Sequence, residues 1–115
     1  MTILLVVNTP PYGSEGPYNA LRLAEALTLR EEHVELFLMG DGVHAARAGQ
    51  EPREAHASLE QMLVGLLGRG ANVACCGTCC RARGIGESDV VVGVSMSTIH
   101  DLAEAVVRCG RTLSF

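Results

Sequence analysis

The sequence contains no tryptophan, and only two tyrosines and two phenylalanines among its 115 residues. With so few rings, a core must be assembled from Leu, Val, Ile and Ala. These are the side chains that fill parallel sheets covered by helices. Lysine is also absent: the nine basic residues are all arginine, set against 13 acidic residues for a net charge of −4. No basic stripe exists, which argues against a general nucleic-acid surface. No apolar run approaches the roughly 18 residues of a membrane-spanning helix, so no membrane association is expected. The opening stretch MTILLVVNTPPYG has neither a charged n-region nor an A-x-A site, and reads as a buried strand rather than a signal peptide. A cytoplasmic location is the expectation. Neither G-x-G-x-x-G nor G-K-[ST] occurs, and no Ser/His/Asp order has a nucleophile elbow, so nucleotide binding and serine hydrolase chemistry lack support.

What is present alternates between strand and helix signals over a length that suits one domain, 1–115. Ile3 to Val7 is a continuous apolar run stopped by Asn8, Pro10, Pro11 and Gly13, as expected of a central parallel strand. Ser14 is placed to cap the helix that follows, whose apolar stripe is Ala20, Leu23, Ala24 and Leu27. Val34 to Met39 reads as a second strand ended by Gly40, with a short helix over Asp41 to Arg47. Ser58 and Gln61 form a capping-box pattern before a helix whose apolar face is Leu59, Met62, Leu63, Leu66 and Leu67, closed by Gly68 or Gly70. Ala71 to Cys76 is a third strand. Asp89 to Val94 is ambiguous, since its consecutive valines favour a strand while Ser88 could cap a helical turn. Thr98 to Arg108 is a last helix with Ile99, Leu102, Ala103 and Val106 expected inward, and Arg111 to Phe115 a terminal strand. The alternation predicts a three-layer α/β/α domain with a mostly parallel sheet.

The improbable feature is Cys75-Cys76-Gly77-Thr78-Cys79-Cys80, which holds four of the five cysteines. Cys76 and Cys79 have C-x-x-C spacing, and the cluster follows a strand's C-terminal end, where open α/β sheets place ligands and reactive groups. Without secretory signals, such cysteines point to metal or redox chemistry rather than a disulfide framework. A helix beginning near Thr78 would stabilise a Cys76 thiolate, with Arg81 and Arg83 adding positive charge. Such a thiolate attacks persulfides and disulfides, and Cys79 is placed to resolve the product. Cys75 continues the strand alternation and reads as core. A zinc site normally needs a second ligand pair, and Cys109 is solitary, so one chain alone does not suggest it. The loop Asn8 to Gly16 reads either as an anion-holding turn or as a plain strand-to-helix connection. His44, His56 and His100 are candidates for acid–base work by their titration range. Only His100 adjoins a carboxylate, Asp101, and neighbours on a helix point about 100° apart. These three and His33 read as surface or interface residues.

Several segments together resemble the DsrE/DsrF-like family, most closely its YchN-like branch. They are Pro11 to Glu15 with Asn19 to Ala24, Leu36 to Met39 with Asp41, Gly49-Gln50 with Pro52, Gln61 to Leu63, Cys76-Gly77-Thr78-Cys79 with Arg83 to Ile85, Gly93-Val94, Asp101 to Ala103 and Thr112 to Phe115. The resemblance is collinear over essentially the whole chain. It implies a five-stranded α/β/α sheet of DsrE-like type, assembly into homotrimers or homohexamers, and sulfur-relay chemistry. The family's active cysteine matches Cys76 and the second cysteine matches Cys79. The loop before the first helix maps onto Tyr12, Gly13, Ser14 and Glu15. The family pattern also implies a short helix and then a brief strand in the ambiguous region around Val90. Cys75 and Cys80 depart from the pattern.

The expected function is therefore a small sulfur-relay protein, a persulfide carrier or sulfurtransferase-like protein, acting through Cys76 and Cys79 without a cofactor. Tyr12, Ser14, Glu15, Thr78, Arg81 and Arg83 are the expected supporting residues, and sulfur donor and acceptor proteins the expected partners. The alternatives are a soft-metal (copper or zinc) module, a thiol–disulfide redox pair, and a structural oligomer with inert thiols.

Overall fold

The structure is a computed structural model that describes residues 1–54 and 58–115. His56 lies outside the described residues. Five strands, β1 (Thr2–Val7), β2 (His33–Leu38), β3 (Asn72–Cys76), β4 (Ser95–Ser97) and β5 (Arg111–Ser114), form one sheet. Their order is β4-β3-β2-β1-β5 and every pairing is parallel. The helices are α1 (Gly16–Leu29), α2 (Leu59–Gly68), α3 (Gly77–Ala82) and α4 (Ile99–Arg108). A 3-10 segment, Gly40–Ala46, follows β2, and a shorter one, Glu87–Asp89, precedes β4.

The period of two along the strands divides the core. Ile3, Leu5 and Val7 of β1 join Val34, Leu36 and Leu38 of β2 on one face, where Ala20, Leu21 and Ala24 of α1 and Leu59, Leu63 and Leu66 of α2 cover them. Leu4, Val6 and Phe37 point to the other face, under Leu102 and Ala105 of α4. Arg108, the last residue of α4, ties that helix to β2. Its Nη1 and Nη2 donate to Glu35 Oε2 and Oε1 at 2.6 and 3.0 Å, and this bond holds the Glu35 carboxyl below its usual range.

Three local expectations are corrected or sharpened. Glu15, not Ser14, occupies the cap position of α1, and Ser14 Oγ instead accepts the Gly16 N–H at 3.2 Å. Proline follows at the helix start, where its missing N–H costs no bond. Val90 and Val91 are buried yet lie outside any strand. They hook onto the end of the 3-10 segment, with the Val91 N–H donating to the Ala46 carbonyl at 2.8 Å and the Ala48 N–H to that of Asp89 at 2.8 Å. Gly93 then turns the chain at φ +103, and only Ser95–Ser97 pairs with β3. A short helical turn followed by a brief strand is thus the outcome. In α4 the buried positions are Leu102 and Ala105, whereas Ile99 and Val106 are 55% and 46% exposed and Ala103 is exposed. The apolar arc of this helix is wider than the strip of sheet it covers, so its flank remains in solvent.

Leu36 lies in the middle of β2 with no open side, so Leu36→Ala should cost about 2–5 kcal/mol by lost transfer energy and a residual cavity. Urea unfolding should show the loss as a lower midpoint with an unchanged slope.

Candidate functional site: the cysteine turn between β3 and α3

β3 runs into α3 without a linker: Cys76 is both the last residue of the strand and the residue that caps the helix. Its extended backbone (φ −66, ψ 115) ends the strand, while its Sγ accepts the Cys79 N–H at 3.4 Å. A side-chain acceptor at this position satisfies a backbone donor that the helix cannot. Gly77 sits in a tight space. A Cβ there would lie 3.1 Å from Arg81 Nη1 and 3.4 Å from the Ser97 carbonyl oxygen. Cys76 pairs in register with Ser97 at the end of β4. From this point the connections diverge. α3 carries Cys80 into the α1/α2 face, while the chain leaving β4 carries Leu102 to the opposite face. The cysteine turn therefore sits where an open sheet's loops part, the usual position of a reactive crevice.

The five cysteines are all free, and their environments differ. Burial pushes the Cys76 thiol up, but bonds from the Cys79 N–H, the Cys79 thiol and the Thr78 N–H, with the Arg81 charge, more than offset it, and its acidity is enhanced. Cys79 is raised, first by burial and then by donating to Cys76, although its Sγ accepts the Gly40 N–H at 3.2 Å. Cys75 and Cys80 are buried and raised, in both cases chiefly by desolvation. Cys109, at the C-terminal end of α4, is raised by burial as well. Cys76 alone is shifted toward thiolate. This is the signature of one nucleophile with a neutral thiol beside it.

The arginines divide their work. Arg81 donates to Thr78 Oγ1 at 3.3 Å, and its charge favours the Cys76 thiolate. Arg83 is held by Asp41 Oδ1 at 2.9 Å and by the Cys79 carbonyl at 3.1 Å, so it braces the far end of the turn. Gly40, Asp41 and Ser97 were not singled out as site residues from sequence. Gly40 was visible as a strand stop, but that its N–H meets a sulfur 39 positions away depends on β2 and β3 being neighbours.

Tyr12, Ser14 and Glu15 occupy a separate location. Tyr12, in the left-handed region at φ +66, donates its hydroxyl to Gln50 Oε1 at 2.6 Å and accepts the Leu59 N–H at 3.2 Å. With Gly13, Ser14, Glu15, Tyr18 and Leu59 it lines a cavity of about 360 Å³. Among the described residues, no hydrogen bond links this loop to the cysteines. Nor, among them, does any group of three or more Cys, His, Asp or Glu side chains converge on a point where a metal ion would sit. His44 and His100 do not reach the cysteine turn through any hydrogen bond among the described residues, and His33 Nε2 is 3.1 Å from Asn72 Nδ2 at the opposite end of the sheet.

Alkylation kinetics should reflect this division. Because only the thiolate reacts, the Cys76 rate should rise with pH and level off below the ordinary thiol value of about 8.5, ahead of every other cysteine. Arg81→Ala should move that inflection upward, since the Arg81 charge favours the Cys76 thiolate. Peptide mapping after timed iodoacetamide quenching would measure both.

The sequence profile of the DsrE/DsrF-like family matches residues 1–115. Protein YchN of Escherichia coli is 39% identical over 115 residues, covering 98% of this chain and 97% of that protein. An uncharacterized protein of Methanocaldococcus jannaschii is 36% identical over 115 residues, covering 100% of both chains. The crystal structure of Escherichia coli YchN superposes with a TM-score of 0.94 at 38% identity, covering 100% of this chain and 99% of that one. A protein of unknown function from Methanobacterium thermoautotrophicum superposes with a TM-score of 0.79 at 14% identity, over 99% of this chain and 97% of that one, a likeness of fold alone. The five-stranded parallel sheet, its helices and the whole-length match agree, and the chain belongs to the DsrE/DsrF-like family.

Proposed function

We propose that this chain is a sulfur-relay protein that carries sulfane sulfur as a persulfide on Cys76, with Cys79 as the partner thiol. The observation that carries the reading is that the Cys76 sulfur caps α3, accepting the Cys79 N–H at 3.4 Å, a setting that with the Arg81 charge favours its thiolate. The Cys76 thiolate attacks the outer sulfur of a donor persulfide, and the donor leaves as a thiolate. The terminal sulfur on Cys76 is then anionic at neutral pH, beside the Arg81 charge and the N–H groups of Thr78 and Cys79. An acceptor thiolate takes that outer sulfur and restores Cys76. Donor and acceptor are proteins that present a cysteine on an extended tip, because Cys76 itself is only 6% exposed. A cytoplasmic site of action belongs to this reading, because a persulfide carrier with free thiols suits a reducing compartment. No helix is long and apolar enough to cross a membrane among the described residues.

Intact-mass analysis after incubation with a persulfide donor tests the assignment. The wild-type chain should gain one sulfur atom that a reductant removes, and Cys76→Ser should lose most of that gain. An undiminished rate in Cys76→Ser would overturn the role of Cys76.

The same reading includes assembly as a homotrimer or homohexamer. Ile99, Val106 and Val107 of α4 and Leu113 of β5 are apolar side chains left 41% or more exposed. A small domain gains stability by covering such surface with further copies. Light scattering at micromolar concentration should give the mass of three or six chains. A monomer would contradict it.

A further inference from the structure

Two of the four aromatic residues in the chain, Tyr12 and Tyr18, line one cavity of about 360 Å³. That volume lies at the small end of the range that ligand sites occupy. The persulfide-carrier reading does not use this cavity. Tyr12 is held there in an unusual way. Its backbone is left-handed at φ +66, a conformation that so bulky a side chain rarely adopts. Its hydroxyl is engaged twice, donating to Gln50 Oε1 and accepting the Leu59 N–H, yet the residue is 54% exposed. The tip of the side chain is thus fixed while the ring stays open to solvent, the reverse of a tyrosine kept for packing. Tyr18 is steadied from the next turn of α1, where the Arg22 guanidinium carbon lies 5.5 Å from the ring centroid. Leu59, buried at the start of α2, adds an apolar wall.

The charge of the lining decides what the cavity suits. Glu15 is its charged residue, and the exposed carboxylate has no hydrogen-bond or ion-pair partner among the described residues. Arg22 is not part of the lining. An anion would need donors from the start of α1, and these are largely spent. The Gly16 N–H is bonded to Ser14 Oγ, Pro17 has none, and the Asn19 N–H is bonded to the Glu15 carbonyl. The anion-holding role that the sequence left open for this loop therefore lacks both a cation and free donors. Aromatic rings beside an unpaired carboxylate favour a positive charge instead. We propose that the cavity of Tyr12 and Tyr18 binds a small organic cation, an ammonium that carries an apolar group. The ammonium meets the Glu15 carboxylate and the open Tyr12 ring, and the apolar group lies against Tyr18 and Leu59. Binding is non-covalent and does not depend on the chemistry at Cys76.

The chain has no tryptophan and both of its tyrosines line the cavity, so tyrosine fluorescence of the intact protein reports on this place alone. Hexyltrimethylammonium, hexanoate and 1-hexanol attach similar apolar chains to a cationic, an anionic and a neutral head. Titration calorimetry at fixed ionic strength ranks the three, and tyrosine emission locates the binding. The cation should bind saturably with a change in emission, and the other two at least about fivefold more weakly. Glu15→Gln, at an exposed position whose backbone still caps α1, should weaken the cation by about threefold to fivefold. Equal affinity for the three probes would overturn the proposal, as would an unaltered affinity in Glu15→Gln. Heat without a change in tyrosine emission would place the binding elsewhere and overturn it too, and so would the lack of any saturable heat with the cation.

Discussion

The cysteine turn of this molecule depends on one shared residue. Cys76 ends β3 and caps α3, so no loop intervenes between the strand and the turn that bears the sulfurs. The bond from the Cys79 N–H to the Cys76 sulfur is at once the helix cap and a principal reason that the thiol is acidic. A longer connection would have released that N–H to water and separated the two sulfurs. The absent side chain at Gly77 belongs to the same constraint, since the Arg81 guanidinium and the Ser97 carbonyl occupy the space around it.

The sheet order makes the turn useful. β3 lies between β2 and β4, so its C-terminal end is bounded on one side by Gly40, whose N–H meets Cys79, and on the other by Ser97. The 3-10 segment after β2 enters this edge at close quarters. A Cβ on Gly42 would overlap the Val7 carbonyl, so glycine alone permits the approach. Through Asp41 the same segment holds Arg83 against α3. It also stands between the cysteine turn and the loop after β1. That position accounts for Tyr12 making its bonds to Gln50 and Leu59 rather than contributing to the sulfur site.

Burial then sorts four adjacent thiols into two kinds. Desolvation raises every cysteine, and it is exceeded only where backbone donors and a cation converge on Cys76. Chemically identical side chains thus differ in reactivity because the pleat and one helical turn direct them to different surroundings.

Much of the fold was legible in sequence. The apolar runs of β1, β2 and β3, the cap at Ser58 and the alternation of strands with helices specify a parallel α/β sheet, because their periodicity and stop signals are local properties. The C-x-x-C spacing and its place after a strand likewise pointed to Cys76 and Cys79. The consecutive valines near residue 90 left that segment ambiguous because their burial comes from contact with the segment around Ala46, a pairing of distant residues. The inward face of α4 was displaced for a related reason: composition marks an apolar arc, but only the sheet beneath decides which part of it is covered. Sequence by itself determined which elements form and where the cysteines cluster. Tertiary structure alone decided that Arg83 is committed to Asp41, that Tyr12 lies apart from the sulfurs, and that Cys75 and Cys80 are buried in one cluster while Cys76 belongs to the other. Each of these depends on strand order and on desolvation, which arise only when residues far apart in the chain pack together.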